Sequence, residues 1–325
     1  MRKWILFIFI FIMMVSPRLV SADENYESYK NALKKFYTLE VVQALIKNGL
    51  DANTEIKEGY TILHGATDLG NLDIVKYLVD NGAEIETKSN EGNTALMIAV
   101  GNGNLKVVKY LIDKGADVNE NNDLGSTVLM LASRGGNLNV VKYLLGKGAG
   151  DDINAKENRG YTLLMFAADG GRLGVVKYFV EKGADINAKD SQGITPLISA
   201  TYGGNIEVVK YLIEKGCDIN GTDLIAGSSA IHYAAYMGYL DIVTWLLEEN
   251  EIDINTTNNT DMTVLMYAVY SNNIGLVKYL VNNGADLYAK DNSMRTIFNY
   301  VRSQDMLNYL ITGEQEEEAL KAELI

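Results

Sequence analysis

Gly193-Ile194-Thr195-Pro196-Leu197-Ile198-Ser199-Ala200-Thr201-Tyr202-Gly203-Gly204-Asn205-Ile206-Glu207-Val208-Val209-Lys210-Tyr211-Leu212-Ile213-Glu214-Lys215-Gly216-Cys217-Asp218-Ile219-Asn220 holds two short helices and their punctuation. Thr195 suits a helix N-cap, where its hydroxyl accepts an otherwise orphaned backbone N–H, and Pro196 suits the first turn that follows. From Ile206 onward, Val208, Val209, Leu212 and Ile213 fall at helical spacing and form one apolar stripe. Gly216 then supplies the left-handed residue that ends a helix. A helix pair this short cannot bury its own stripe, so a neighbouring copy has to complete the core.

Copies are present. The Val-Lys-Tyr-Leu of Val209 to Leu212 also stands at Val75 to Leu78, Val108 to Leu111, Val141 to Leu144 and Val277 to Leu280, with Val176-Lys177-Tyr178-Phe179 and Val243-Thr244-Trp245-Leu246 as variants. The aromatic residue advances by 33, 33, 35, 33, 34 and 34 positions. A Thr-x-Leu-x-x-Ala signature keeps the same phase from Thr61 through Thr94, Thr127, Thr162, Thr195 and Thr263, with Ser229 as a variant. Gly-Ala-Asp or a close relative closes units at Gly82, Gly115, Gly183, Gly216 and Gly284. The steps longer than 33 place extra residues near Gly150-Asp151, Leu224-Ile225 and Asn250-Glu251, at unit boundaries, where they leave the stripes in register.

The order Gly-x-Thr-Pro-Leu-His-x-Ala, Gly-Asn-x-x-Val-Val-x-x-Leu, Gly-Ala-Asp-x-Asn resembles the ankyrin repeat. The resemblance implies an all-α solenoid of stacked helix-turn-helix units joined by short β-hairpin loops, with protein binding as its ordinary work. Departures are local. Proline survives at Pro196 alone of the Thr-Pro places, histidine at His64 and His232, and Asp261 and Met294 stand where Gly59, Gly92, Gly125, Gly160 and Gly193 set the turn. Seven repeats, about 59–291, lie between an N-terminal cap at 23–58 and a C-terminal cap at 292–313. The first cap pairs a helix over roughly Ser28 to Tyr37 with one at Leu39 to Ile46; the last begins at Thr296 and ends near Ile311. An acidic amphipathic helix, 314–325, follows, with Thr312 and Gln315 suited to cap it.

Residues 1–22 read as an export signal: Arg2 and Lys3, an apolar run from Trp4 to Val15, Pro17, and small residues at Val20-Ser21-Ala22. The run is too short to span a bilayer, and extending it toward Val20 takes in Ser16, Pro17 and Arg18, which disfavours a membrane anchor. The formal charge of the 325-residue chain is −13 and its pI about 4.7. Losing Arg2, Lys3 and Arg18 takes the charge to −16. The expectation is an exported protein, periplasmic or secreted, off the membrane once the signal is removed. Its charge argues against binding nucleic acid.

Chemistry is sparse. One cysteine makes no internal disulfide, and two histidines make no histidine-rich metal site. His64 and His232 lie five repeats apart and share no site; the resemblance gives each a bracing role at its turn. Cys217 replaces the alanine of Gly-Ala-Asp and reads as a small buried thiol, with a reactive or intermolecular cysteine as the alternative. Asp117, Asp185, Asp218 and Asp286 recur at turns and read as architecture. Gly101-Asn102-Gly103-Asn104 and Gly203-Gly204-Asn205 lack the Lys-Ser ending and preceding strand of a phosphate loop. Asn-x-Thr sequons at Asn220, Asn255 and Asn258 have meaning only on a eukaryotic secretory route. The Lys-Tyr pairs read as a packing tyrosine beside a solvated lysine. No enzyme activity, cofactor or metal is expected.

What varies between repeats marks the binding places that the resemblance implies, after the first helix's alanines and at the hairpin. The helix place holds Asp68, Gly101, Arg134, Asp169, Tyr202, Tyr236 and Tyr270; the hairpin place holds Tyr60, Asn93, Ser126, Tyr161, Ile194, Ser228 and Met262. The three tyrosines are 34 residues apart, and stacking lines them up on one concave groove beside Met237 and Tyr239. The expected partner-binding set is Tyr60, Arg134, Tyr161, Ile194, Tyr202, Tyr236, Met237, Met262 and Tyr270, facing a protein with a neutral or basic surface. An inhibitor, chaperone or accessory factor of an exported enzyme, or an effector acting on host proteins, uses the same scaffold.

Overall fold

The computed structural model describes residues 37–150 and 152–312. The export signal, the helix expected over roughly Ser28 to Tyr37 (all but Tyr37 itself) and the acidic tail lie outside the described residues. The chain divides into two units, one ending at Asn158 and the other beginning at Arg159.

The first unit carries α1 (Leu39–Lys47), a hairpin of β1 (Glu55–Lys57) and β2 (Tyr60–Thr61), then α2 (Ile62–Asp68), α3 (Leu72–Asp80), α4 (Ala95–Gly101), α5 (Leu105–Asp113), α6 (Val128–Gly135) and α7 (Leu138–Gly146). The second carries α8 (Leu163–Asp169), α9 (Leu173–Glu181), α10 (Pro196–Gly203), α11 (Ile206–Glu214), α12 (Ala230–Met237), α13 (Leu240–Glu249), α14 (Val264–Tyr270) and α15 (Ile274–Asn282). A 3₁₀ turn at Ile297–Tyr300 and helical residues 304–312 follow.

Within each unit the even-numbered first helices pack side by side, and so do the odd-numbered second helices. Ala66, Ala99, Ala132, Ala167, Ala200, Ala234 and Ala268 are sealed between neighbouring first helices, where a larger side chain would hold them apart. The valine pairs and following leucines of the second helices are buried as their spacing requires. Each such residue contributes roughly 1.5–3 kcal/mol on burial, and the area is completed by the next repeat.

Side chains tie the repeats where apolar contact gives no direction. Asn205 Oδ1 accepts the Glu207 and Val208 N–H groups at 3.0 and 3.3 Å, capping α11, while its Nδ2 donates to the Gly171 carbonyl at 3.0 Å. Asn104, Asn137 and Asn273 make the same double contact, reaching Gly70, Gly103 and Gly238. Arg172 and Tyr239 hold this place at α9 and α13, and neither side chain caps its helix.

The hairpins are sparer than full strand pairs. Among the described residues β1 and β2 form a two-stranded ladder, whereas Asn121–Thr127, Thr222–Ser229 and Thr257–Thr263 each make one isolated bridge. Backbone bonds join successive tips instead: Asn90 N–H donates to the Glu58 carbonyl, Leu224 N–H to Gln192 and Asn259 N–H to Ala226, at 2.7–2.9 Å. Asp261 and Met294 adopt the same left-handed conformation as the glycines they replace, with φ of 57° and 62°. The extra residue at Leu224-Ile225 bulges at a tip held by Asp223, and both side chains are 73% exposed. The extra residue after α13 is taken up by its added residue and by left-handed Glu251.

Candidate functional site

In the second unit the first helices α10, α12 and α14 end with an aromatic residue in the last turn, past the alanines that fix each helix against its neighbour. Tyr202 and Tyr236 are each 40% exposed and Met237 37%; Tyr270 is half-buried. The rings of Tyr236 and Tyr270 stack with centroids 5.4 Å apart and planes 21° from parallel. Arg302, from the turn after the 3₁₀ segment, lies over the Tyr270 ring at 3.4 Å. Tyr202 packs on Tyr233 at 5.2 Å, and Tyr236 meets Tyr267 edge-on at 6.3 Å.

Beneath the exposed rings is a hydrogen-bonded floor. Tyr233 OH donates to Asp223 Oδ2 at 3.2 Å, and Asn258 Nδ2 donates to Ser228 Oγ and Tyr267 OH at 3.1 and 3.0 Å. Burial, then the charge of Asp223, raises the Tyr233 hydroxyl's pKa. Burial and the nearby Tyr236, Asp223 and Asp169 raise that of Tyr202 as well. Such a face offers aromatic area with the Asp169 and Asp223 carboxylates near Tyr202 and the Arg302 guanidinium over Tyr270.

The other expected residues are scattered. Tyr161 OH donates to Ser199 Oγ at 2.8 Å with its ring edge-on to Phe166, so it braces the first helices of its unit. Met262 is half-buried at its hairpin. Ile194 departs from expectation: at 8% exposure it is packed into the unit, because an apolar side chain at the hairpin place turns inward, and it offers a partner little surface. In the first unit Tyr60 packs its ring 5.1 Å from His64 and Arg134 is exposed at the end of α6. Tyr233, Tyr267 and Arg302 were missed by the sequence reading. Tyr233 and Tyr267 stand four places after Ser229 and Thr263, a phase that the repeat alignment contains; Arg302 lies in the cap, outside any repeat.

The histidines close helix starts. His64 Nδ1 accepts the Thr61 N–H at 3.0 Å, and Nε2 lies 3.1 Å from the Asn93 carbonyl. His232 Nδ1 accepts the Ser229 N–H at 3.2 Å, and its buried Nε2 makes no hydrogen bond of good geometry. Met130 and Met165 fill the same place, their sulfurs accepting the Thr127 and Thr162 N–H groups at 3.5 and 3.4 Å. A place that a thioether fills equally well asks for an acceptor, not for an acid or base. Cys217 is buried, and burial together with Asp218 pushes its thiol up to about 12, so it carries no thiolate near neutral pH.

Among the described residues no three metal-ligating side chains gather, and no helix is long and apolar enough to cross a membrane. These features define a helical repeat scaffold that presents side-chain surface. A family model described as ankyrin repeats (3 copies) matches residues 30–122, 84–157, 119–190, 186–258 and 221–291. The chain belongs to the ankyrin repeat family, whose members are generally protein-interaction modules and typically non-catalytic. Comparison with curated proteins gives no significant match.

Proposed function

We propose that this protein is an exported, non-catalytic binding scaffold whose second unit captures a partner protein on the face carrying Tyr202, Tyr236, Met237 and Tyr270. One observation carries the reading: Tyr236 and Tyr270, from successive repeats, stack as one aromatic surface, with Met237 beside them. Aromatic and methionine side chains gathered on a surface are what protein interfaces enrich, and tyrosine does so at little cost in side-chain entropy. Asp169, Asp223 and the surplus of acid in the chain favour a partner with a neutral or basic face. Tyr60 and Arg134 in the first unit, and Tyr161 and Met262 in the second, are further candidate contacts, each read from its repeat position alone.

Replacing Tyr202, Tyr236 and Tyr270 together with serine is expected to abolish capture of the partner from the secreted fraction while circular dichroism keeps the helical signal. Equal capture by a folded triple variant would remove this face from the reading. Export is tested separately: N-terminal sequencing of the protein recovered outside the cytoplasm is expected to begin at Asp23, after Ala22.

A further inference from the structure

Several second helices carry a lysine–tyrosine ladder; it is interrupted at Trp245 and Tyr279, and Tyr77 has Asn81 in place of the lysine four residues on. Tyr110 lies between Lys76 and Lys114, whose ammonium groups are 6.0 and 5.5 Å from its ring centroid. Tyr143 lies between Lys109 and Lys147, each at 5.4 Å, and Tyr211 between Lys177 and Lys215, at 5.4 and 5.5 Å. One lysine comes from the preceding second helix and the other from four residues beyond the ring. Carboxylates hold some of these cations in place, as Asp80 does with Lys114 at 3.0 Å.

The repeat of α13 keeps half of this arrangement. Trp245 replaces the tyrosine and receives Lys210 at 5.8 Å. Four residues on, Glu249 stands where Lys215 does, and Thr244 replaces the ladder's lysine. Among the described residues Lys210 is the one cation over Trp245. Beside that ring lies an open cavity of about 590 Å³ lined by Tyr239, Leu240, Asp241, Thr244, Trp245 and Glu248. Among the described residues Asp241, which is exposed, meets no cation, and Glu248, which accepts the Tyr279 hydroxyl at 3.1 Å, meets none either. None of Tyr202, Tyr236 or Tyr270 lines the cavity.

An aromatic ring, an apolar wall at Leu240 and two uncompensated carboxylates are complementary to an ammonium group on a hydrocarbon stem. The repeats of Tyr110, Tyr143 and Tyr211 show that ammonium group in place, supplied by the chain itself. We propose that the cavity receives a lysine side chain of a partner protein, its ammonium over Trp245 and its charge taken by Asp241 and Glu248. The site adjoins the tyrosine face through Tyr239, whose hydroxyl donates to the Tyr202 carbonyl at 3.4 Å, but its ring and carboxylates are not those of that face.

The chain has two tryptophans, so a full-length protein carrying Trp4→Phe reports on Trp245 alone. Titration at constant ionic strength with acetyl-Ala-Lys-Ala-amide is expected to change its emission saturably in the millimolar range. The Nε-acetyl-lysine peptide is expected to bind roughly five-fold more weakly or not at all, and Asp241→Asn with Glu248→Gln to weaken the lysine peptide comparably. Glu249→Lys supplies the missing lysine from within the ladder; it is expected to remove the response while the thermal unfolding midpoint holds or rises. Equal responses to both peptides, or an undiminished response in folded Glu249→Lys, would overturn the site. A response to butylammonium as strong as to the peptide would make the occupant a free amine. Self-association abolished by the double variant would make it a second copy of this chain. Either result overturns the assignment to a partner protein.

Discussion

His232 is pulled in two directions. Its Nδ1 closes the start of α12 by accepting the Ser229 N–H, which requires a neutral ring, while its Nε2 is buried near the Thr256 backbone without a hydrogen bond of good geometry. Burial lowers the pKa from 6.5 to about 4; the Thr256 carbonyl and Asp223 oppose the shift and do not outweigh it. The folded state therefore binds this proton less readily than the unfolded chain. Stability is full above pH 6.5, falls as the pH drops from 6.5 toward 4, and loses nothing further from this group below that. The shift corresponds to about 3 kcal/mol across the window. His232→Gln keeps an acceptor for the Ser229 N–H and cannot take up a proton. Between pH 7 and pH 4.5 the variant is expected to lose about 2 kcal/mol less than the parent in urea unfolding. Parallel loss in the two proteins would mean that the ring is hydrated or otherwise satisfied in solution. The acceptor role also explains why methionine occurs at the equivalent place of other repeats.

At the scale of the element, capping and stacking are joined in one side chain. Asn205 caps α11 through Oδ1 and ties the preceding repeat through Nδ2, and the two jobs separate by substitution. Asn205→Ala removes both and is expected to cost about 2 kcal/mol. Asn205→Asp keeps the cap, favoured further by the helix dipole, and loses the donor to Gly171, so its urea midpoint is expected between parent and alanine variant. If aspartate and alanine were equally destabilising, the inter-repeat bond would carry the whole effect. The helices were legible because Thr195, Pro196, the Val208-Val209-Leu212 stripe and Gly216 are local signals repeated in phase. The hairpins were less so: a single bridge such as Thr222–Ser229 depends on the neighbouring tip, which composition does not encode. The tyrosine face was half legible. Phase placed Tyr202, Tyr236 and Tyr270 together, but the inward turn of Ile194 and the approach of Arg302 to Tyr270 depend on packing across elements distant in sequence. Of the Lys-Tyr pairs, Lys76, Lys109 and Lys177 are exposed, as the sequence implies, and what it leaves out is that they also lie over the next repeat's ring, each contact contributing roughly 0.5–1 kcal/mol.

Taken over the whole molecule, the charge is −13, and much of the positive charge is engaged locally, over ladder tyrosines or beside carboxylates such as Asp80 and Asp113. The field that an approaching protein meets at a distance is therefore acidic, while the contact on the proposed face is aromatic. These two contributions respond differently to salt. Raising ionic strength from 0.1 to 1 M shortens the screening length from ~10 to ~3 Å, which removes long-range attraction and leaves stacked rings untouched. For a basic partner captured on the tyrosine face, the association rate is expected to fall about tenfold or more across that range, with a much smaller change in dissociation rate. Stopped-flow association and a surface-based dissociation measurement at matched salt separate the two. The Tyr202, Tyr236 and Tyr270 serine variant should show the opposite pattern, faster dissociation with the salt dependence of association retained. An association rate indifferent to salt would assign capture to the aromatic face alone and give the surplus acid no part in finding the partner.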